Sequence, residues 1–437
     1  MTDNHKRRFL PCGEEDRMSN LPESVISLIL EWLPFRDAVR TSTLSKDWRY
    51  KWTTMTSLVL DEQFSKKVKR YGDFSHNGFI RSVNHFMILH SGPISKFSLH
   101  IPEMQLDIFQ EINQWMVFLS RSGVRELVLT NSSRRYKLPS HLSSFSELRK
   151  LKLENFTFTP PLKFEGFPNL EDLFLKDIDF MPGSCGIQTN LPELRKLSLY
   201  SCTNVYNFKI NAQKLESLVV ETCPDAMFLR LLDSPCLTTV AIRNLKSTRD
   251  SVPVQRKNLA ELLCNLPKIQ CLIIDGLFFK LLSADNVPKW FPRPVDSLKH
   301  LSLHNFQHSD LDQLQGALSL LRNSPNLETL FMNYTKHRVR NYDAIDVGPA
   351  WDHLESPDCL DRTLKHLLNV EFETIEGSRS ELLFIKLLLA HSPSLEKMTI
   401  QQSLTSDYSK KFKMMKNVMQ YPRASIKVEV VYLDPES

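Results

Sequence analysis

Thirteen histidines and eight cysteines are the side chains of this 437-residue chain best suited to hold a metal or to act as nucleophiles. Their spacing favours neither use. A zinc site draws on cysteine or histidine pairs a few residues apart, and the chain has no C-x-x-C and no H-E-x-x-H. His300, Ser302 and His304 alternate, so on a strand all three share one face. Two imidazoles and a hydroxyl could bind a metal or simply meet solvent, and solvent is the preferred reading. The chain lacks G-x-S-x-G for an acyl-transfer serine, and lacks G-x-G-x-x-G and G-x-x-x-x-G-K-[ST] for phosphates. With only 12 glycines it has few to spend on such loops. No catalytic residue, metal or cofactor is therefore expected.

Composition narrows the classes further. Hydrophobic residues make up 42% and charged residues 24%, the balance of a folded, soluble chain. The formal charge of +5 is mild, and the basic clusters His5–Arg8, Lys66–Arg70 and Lys410–Lys416 are short, so no nucleic-acid partner is expected. No run of about 18 apolar residues would span a membrane. The basic N-terminus is followed by Glu14, Glu15 and Asp16 rather than by an apolar stretch, so no secretion signal is expected and the cysteines should be reduced thiols. This points to the cytoplasm, the nucleus or both.

The positions that must be set by an architecture are the leucines. The pattern L-x-x-L-x-L, with aliphatic substitutions, starts at Ile94, Val124, Leu148, Leu170, Leu194, Leu215, Leu237, Ile269, Leu298, Leu327 and Leu395, with a degraded copy at Leu364. The central starts lie 24, 22, 24, 21 and 22 residues apart, within the leucine-rich-repeat period of about 20–29. L-x-L puts two apolar side chains on one side of a short strand. One unit cannot bury that face alone, so neighbours stack. The expected fold class is α/β: a repeat solenoid with a parallel sheet on its concave side and helices on its convex side. Prolines two residues ahead of the repeat, at Pro168, Pro192, Pro235, Pro267, Pro325 and Pro393, end the preceding element. Leucines at 259, 262, 263 and 266, and at 311, 314, 318 and 321, have helical spacing. Cys202 and Cys223 fall eight residues after the first leucine of their repeats, where Phe156, Ile178, Leu277 and Phe306 stand elsewhere. That position calls for a buried side chain.

Ahead of the repeats, LPESVISLILEWLPFRDAVRTSTLSKDWRYKW (Leu21 to Trp52) packs apolar residues at helical spacing. Val25, Ile26, Ile29, Leu30 and Leu33 fall on a first helix stopped by Pro34, and Val39, Leu44, Trp48 and Trp52 continue the apolar set. About forty residues make too small a core to stand alone, so some of this surface should rest on a partner or on the next domain. At the other end, a helix around Leu387, a strand ending at Ile400, a helix with Phe412, Met415, Val418 and Met419 on one face, and a strand through Ile426, Val428 and Val430 read as a cap.

Three segments together resemble the plant F-box/leucine-rich-repeat/FBD family. The F-box resemblance rests on Leu21-Pro22, Arg36-Asp37-Ala38, Arg40-Thr41-Ser42 and Leu44-Ser45-Lys46-x-Trp48-Arg49-x-x-Trp52. The FBD resemblance rests on Leu387 to Ile400 and on YPRASIKVEVVY. GPISKFSLHI and INQWMVFLSRSGVRELVL resemble the family's early repeats. Phe35 departs conservatively from the usual Ile or Val. The resemblance implies a disordered tail over 1–17, an F-box over 18–62, a solenoid with a leading helix over 63–362, and FBD-like repeats and cap over 363–433. It implies docking on a Skp-type adaptor, and through it a cullin–RING ubiquitin ligase, with the repeats holding a protein substrate. Leu21, Pro22, Ile26, Ile29, Leu30 and Leu33 should supply the adaptor surface, with Leu44, Trp48 and Trp52 organising the bundle. Phe174, Tyr200, Arg243, Phe331 and Tyr334, read as outward strand positions, should anchor the substrate. Alternatives are a repeat scaffold that recruits no ligase, and a co-receptor whose substrate site a small ligand completes.

Overall fold

The computed structural model describes residues 21–70, 76–103, 108–159, 166–181, 188–205, 209–223, 234–243, 259–276, 278, 290–308, 310–334, 354–355, 359–360, 363–403 and 408–434. The expected tail over 1–17 and the repeat position of Leu277 lie outside them. The chain is α/β and divides into two compact units, Met1–Leu148 and Arg149–Ser437. Among the described residues, no helix is long and apolar enough to cross a membrane.

The first unit opens with helices α1 (Glu23–Trp32) and α2 (Phe35–Arg40), with Pro34 between them in extended backbone. Three parallel strands follow, β1 (Ser57–Leu60), β2 (Lys96–Ile101) and β3 (Glu126–Asn131), joined in register from Leu58↔Phe97↔Leu127 to Leu60↔Leu99↔Leu129. Helices α3 (Glu62–Arg70), α4 (His76–Leu89) and α5 (Phe109–Ser120) connect them. In β2 and β3 burial alternates strictly, as the L-x-L spacing requires.

In the second unit the large sheet has eleven parallel strands among the described residues: β4 (Lys150–Glu154), β5 (Asp172–Lys176), β6 (Lys196–Tyr200), β7 (Ser217–Glu221), β8 (Thr239–Arg243), β9 (Cys271–Asp275), β10 (His300–Phe306), β11 (Thr329–Tyr334), β12 (Asn369–Ile375), β13 (Lys397–Gln402) and β14 (Glu429–Leu433). Each pairs with its sequence neighbour, so the inward residues form columns. One column runs Leu151, Leu173, Leu197, Leu218, Val240, Leu272, Leu301, Leu330, Val370, Met398 and Val430. Helices α6 (Leu259–Cys264), α7 (Leu311–Asn323), α8 (Arg379–His391) and α9 (Tyr408–Met419) lie between strands. Ser378 and Glu381 cap α8 reciprocally.

Two short backbone devices repeat along this unit. Before each strand, an i to i+3 turn closes on the first repeat leucine: Leu170 N to Phe167 O, Leu194 N to Leu191 O, Leu237 N to Ser234 O, Leu327 N to Ser324 O and Leu395 N to Ser392 O. The expected prolines occupy the second position of these turns, which their fixed φ suits. After the strand, one non-glycine residue takes positive φ: Asn155 (64°), Asp177 (53°), Ser201 (51°), Thr222 (59°), Asn305 (49°) and Thr374 (58°). The next side chain then turns inward, and Phe156, Ile178, Cys202, Cys223, Phe306 and Ile375 are all buried there. The thiols of Cys202 and Cys223 donate to carbonyls within the repeat, to Tyr200 O and Glu221 O, each at 3.5 Å. The Cys202 thiol is held well above its ordinary pKa, by the hydrogen bond with Cys223 and by burial, so it is no nucleophile.

Three expectations are corrected. The degraded repeat begins at Leu367 rather than Leu364: Leu367, Val370 and Phe372 are its buried set, and Leu367 N closes the turn on Leu364 O. Helix α9 turns Met414 and Val418 inward, leaving Phe412 (72%) and Met419 exposed. The closing strand starts at Glu429, and Ile426 is 99% exposed.

The core also buries polar groups. His308 is enclosed by Phe306, Tyr334 and Phe384, with ring centroids 5.1, 4.9 and 5.0 Å away, and neither ring nitrogen has a partner among the described residues. Burial pushes its pKa down to about 3 from 6.5. Burial likewise pushes the Glu381 carboxyl up to about 7, against hydrogen bonds from Gly377 N and Ser378 N.

Two predictions follow from these details. A β-branched residue at positive φ carries steric cost that asparagine largely avoids. Thr374 recovers part of it, because its hydroxyl donates to Tyr334 O (2.9 Å) and accepts from Tyr334 N (3.2 Å); Thr222 has no such bond among the described residues. Thr222→Asn should raise stability by about 0.5–1 kcal/mol in urea unfolding, and Thr374→Asn should not. The second concerns acid. Between pH 6.5 and about 3 the unfolded chain protonates His308 while the folded chain does not, so folded stability falls as pH drops through that window. Glu381 acts oppositely between 4.5 and about 7, where only the folded chain holds its proton. Below pH 4.5 the histidine term stands alone of the two. His308→Phe should therefore gain on wild type as pH falls, at most by about 1.4 kcal/mol per pH unit, read as the difference in urea midpoints. A pH-independent difference would contradict a neutral buried imidazole.

Candidate functional site

Two surfaces carry the expected site residues, one in each unit. In the first, α1 is apolar on both sides. Ile26 and Leu30 are buried, and Trp48 and Trp52 from the following turns are buried with them. Phe35 at the start of α2 packs edge-on to Trp52 (6.0 Å) and Phe86 (4.8 Å), and Trp52 meets Phe86 at 5.8 Å. Phe86 belongs to α4, so the small helical segment borrows part of its core from a later element of its unit. Lys51 pairs with Glu23, and the Thr56 hydroxyl donates to Glu31 at 2.8 Å.

The opposite side of α1 is uncovered. Val25, Leu28, Ile29 and Trp32, at spacings of one face, are all exposed, and Trp32 is 87% exposed. Pro22 stands at the helix N-cap, exposed, with Leu21 half-buried beside it. Tyr50 is exposed as well. Of the residues expected to meet a partner, Pro22 and Ile29 are therefore on the surface, Leu21 and Leu33 are half-buried, and Ile26 and Leu30 face the bundle. Leu44, expected to organise the bundle, is 61% exposed instead, because Phe35 and the two tryptophans already fill that space. Leu28 and Trp32 went unread in the sequence, although their spacing to Val25 and Ile29 would have found them.

In the second unit the face of the sheet opposite the leucine columns presents the intervening residues. Phe174 and Tyr200 stack at 5.1 Å and 32°, and the Lys152 ammonium sits 4.8 Å over the Phe174 ring. Lys176 pairs with Glu154 at 2.7 Å, and Arg243 with Glu221 at 2.8 Å. The bond to Glu154 raises the Lys176 pKa, outweighing partial burial. His304 packs on Phe331 at 5.1 Å, and its Nε2 lies 2.9 Å from the Ser302 hydroxyl. Between the two aromatic pairs, Val219, Ala241 and Ile273 occupy the matching register positions and form a low apolar floor.

Phe174, Tyr200, Arg243 and Phe331 thus lie on this face, as their strand phase predicts. Tyr334 does not: it continues the inward alternation of Leu330 and Met332, is buried, and stacks on Phe372 at 6.3 Å and 18°. Asp275, which pairs in register with His304, is buried and accepts from Phe278 N at 2.9 Å.

Burial lowers the His304 pKa, and the Arg243 charge adds to the shift. Among the described residues no carboxylate hydrogen-bonds to it to complete a Ser-His-acid set, and no group of three or more His, Cys, Asp and Glu could hold a metal ion.

Comparison with known proteins assigns a class to this architecture. The F-box domain profile matches residues 18–60, the profile for the LRR repeats of FBD-associated F-box protein At5g56370 matches 112–332, and the FBD profile matches 354–400. The chain belongs to the F-box/FBD/LRR-repeat family of plant proteins. It is 33% identical over 421 residues to F-box/FBD/LRR-repeat protein At1g13570 of Arabidopsis thaliana, covering 96% of this chain and 98% of that one. It is 25% identical to F-box/FBD/LRR-repeat protein At5g56420 (95% and 99% covered) and 26% identical to Probable FBD-associated F-box protein At1g32375 (95% and 100%), both of Arabidopsis thaliana. None of the matched families is enzymatic.

The two sides of α1 should respond differently to truncation. Leu30→Ala removes a buried aliphatic and should cost about 2–5 kcal/mol in chemical unfolding. Trp32→Ala removes an exposed one and should change stability by no more than about 0.5 kcal/mol.

Proposed function

We propose that this protein is the substrate-recognition subunit of an SCF-type cullin–RING ubiquitin ligase. The outer side of α1 docks on a Skp-type adaptor, which bridges to the ligase. The repeats form a solenoid whose helix-free, concave face holds a protein substrate, and ubiquitin transfer belongs to other subunits. The observation that carries this reading is the uncovered apolar stripe Val25, Leu28, Ile29 and Trp32, in the segment matching the F-box profile. A soluble domain seldom leaves a tryptophan so bare unless something covers it. Aromatic anchors dominate binding energy at interfaces. A cytoplasmic or nuclear location accords with this role.

The substrate side rests on Phe174, Tyr200, Arg243 and Phe331, which combine apolar area with polar or charged groups around an apolar floor. Both charge signs occur there, so the substrate surface should be mixed rather than uniformly acidic or basic.

Two measurements test the reading. Leu28→Ala with Trp32→Ala should weaken binding of the purified adaptor by at least about thirtyfold with the melting temperature unchanged, and Leu21→Ala with Pro22→Ala should weaken it too. Unchanged affinity in the first pair rules out docking through α1. Tyr200→Ala with Arg243→Ala should reduce substrate capture in proximity labelling by an F-box-disabled protein, leaving adaptor binding intact. Capture insensitive to both changes would move the substrate site off this face.

A further inference from the structure

A terminal repeat normally turns a polar face outward. The last described repeat mixes exposed apolar side chains with its charges. Among the described residues, strand β14 pairs with β13 and with no other strand. Glu429 N donates to Glu396 O at 2.9 Å. Successive N–H groups on a strand point to opposite sides, so those of Val430 and Tyr432 point to the free edge. Such a row of unpaired donors and acceptors invites another strand unless it is blunted or covered.

The helix leading into this strand is equally bare. Helix α9 packs on α8 through its inner side, and Phe412 and Met419, two turns apart, share the outer one. Ile426 in the following turn and Leu433 at the strand's end are exposed as well. Around them Lys413, Lys416, Arg423 and Lys427 are exposed, and none forms an ion pair among the described residues. Elsewhere in this unit several cations are paired across repeats, as in Arg149–Glu171, Arg195–Glu216 and Lys299–Glu328. Among the described residues the acidic groups at this end are Glu396, Glu429, which faces Lys397 across the ladder, and Asp434 beyond the strand.

We propose that this C-terminal end is a second docking surface, one that takes an acidic, partly apolar protein segment as an added strand on β14. The three features select this occupant together. Unpaired cations call for negative charge, Phe412, Met419 and Ile426 for apolar side chains, and the open edge for a peptide backbone. An anionic lipid surface meets the first two and leaves the edge groups unpaired. A second copy docked through the same end would oppose like charges. The inference stands whether or not the chain docks on an adaptor.

The test uses the full-length protein and a fluorescein-labelled peptide of about ten residues alternating Glu and Val, a strand-forming acidic probe. Anisotropy should show saturable binding below about 1 mM, weakened at least about tenfold by Lys413→Glu with Lys416→Glu, both on the exposed side of α9. The same peptide N-methylated at alternate residues should lose binding, because its backbone can no longer pair, and the protein needs no alteration for that control. A Lys/Val peptide should not bind. Absence of saturable binding, equal binding by the N-methylated peptide, binding unaffected by the charge reversals, or preferential capture of phosphatidylserine vesicles would overturn the proposal. So would self-association through this end, seen by sedimentation and abolished by the same reversals.

Discussion

Two leucines on one side of a five-residue strand have nothing to pack against except the pair in the next strand. That constraint governs the second unit. The hydrogen-bonded register fixes Leu151 beside Leu173, Leu197 and Leu218, and a slip of one residue would turn the whole column to the other face. Each repeat is thus stabilised by its neighbours, and stability is a sum of adjacent interfaces rather than of one central core. The backbone devices follow from the same need. The turn before the strand brings the first leucine into the shared core. The positive-φ residue after the strand brings in the side chain of Phe156, Ile178, Cys202, Cys223, Phe306 or Ile375. Local strain in one residue is exchanged for an inward side chain in the next, once per repeat.

The helical segment at the start of the first unit solves the opposite problem. It is too short to bury two apolar sides of a helix, so it buries one. Ile26 and Leu30 join Phe35, Trp48, Trp52 and the borrowed Phe86, and Val25, Leu28, Ile29 and Trp32 are left over. An amphipathic helix would need no partner. A helix apolar on two sides, lying at a surface, leaves one of them open, and that accords with the proposed adaptor docking.

Much of this was legible in the chain. The L-x-x-L-x-L spacing gave the strands, their register and the burial of both cysteines, because a period of two leaves no freedom in which side faces in. The same rule, applied consistently, puts Tyr334 inward after Leu330 and Met332; its aromatic ring and polar tip suggested a surface anchor, and phase overrides residue type. Leu364 was read one turn too early because Leu364 and Leu367 both fit a first repeat position, and only the following Val370 and Phe372 decide between them. Asp275 ends its strand where the chain turns and its carboxylate caps Phe278 N, a local bond that no periodicity reports. On helices the reading was weaker. With 3.6 residues per turn, a helix with apolar residues on several sides admits more than one inward face. The neighbour that covers one of them, the turn at Lys51–Thr54 for α1 or α8 for α9, is set by tertiary structure.

Charge follows the repeat as closely as apolar residues do. At the residue after the first leucine, sign alternates along successive strands: Arg149, Glu171, Arg195, Glu216, with Arg149–Glu171 at 3.1 Å and Arg195–Glu216 at 2.6 Å. Exposed pairs of this kind contribute little to stability, about 0–1 kcal/mol each. Their larger consequence is for recognition. A cation already facing a carboxylate across the ladder has its field largely cancelled at the distance of an approaching partner, and costs an incoming group the breaking of that pair. The ladder therefore makes the flank of the sheet electrostatically quiet, although lysines, arginines and glutamates are plentiful there. Past the last described repeat, Lys413, Lys416, Arg423 and Lys427 have no carboxylate partner among the described residues. In a stacked array the exceptions stand where the period is broken: the helix that precedes the repeats, the aromatic pairs that interrupt the small outward residues of the sheet, and strand β14, which pairs with one strand alone among the described residues.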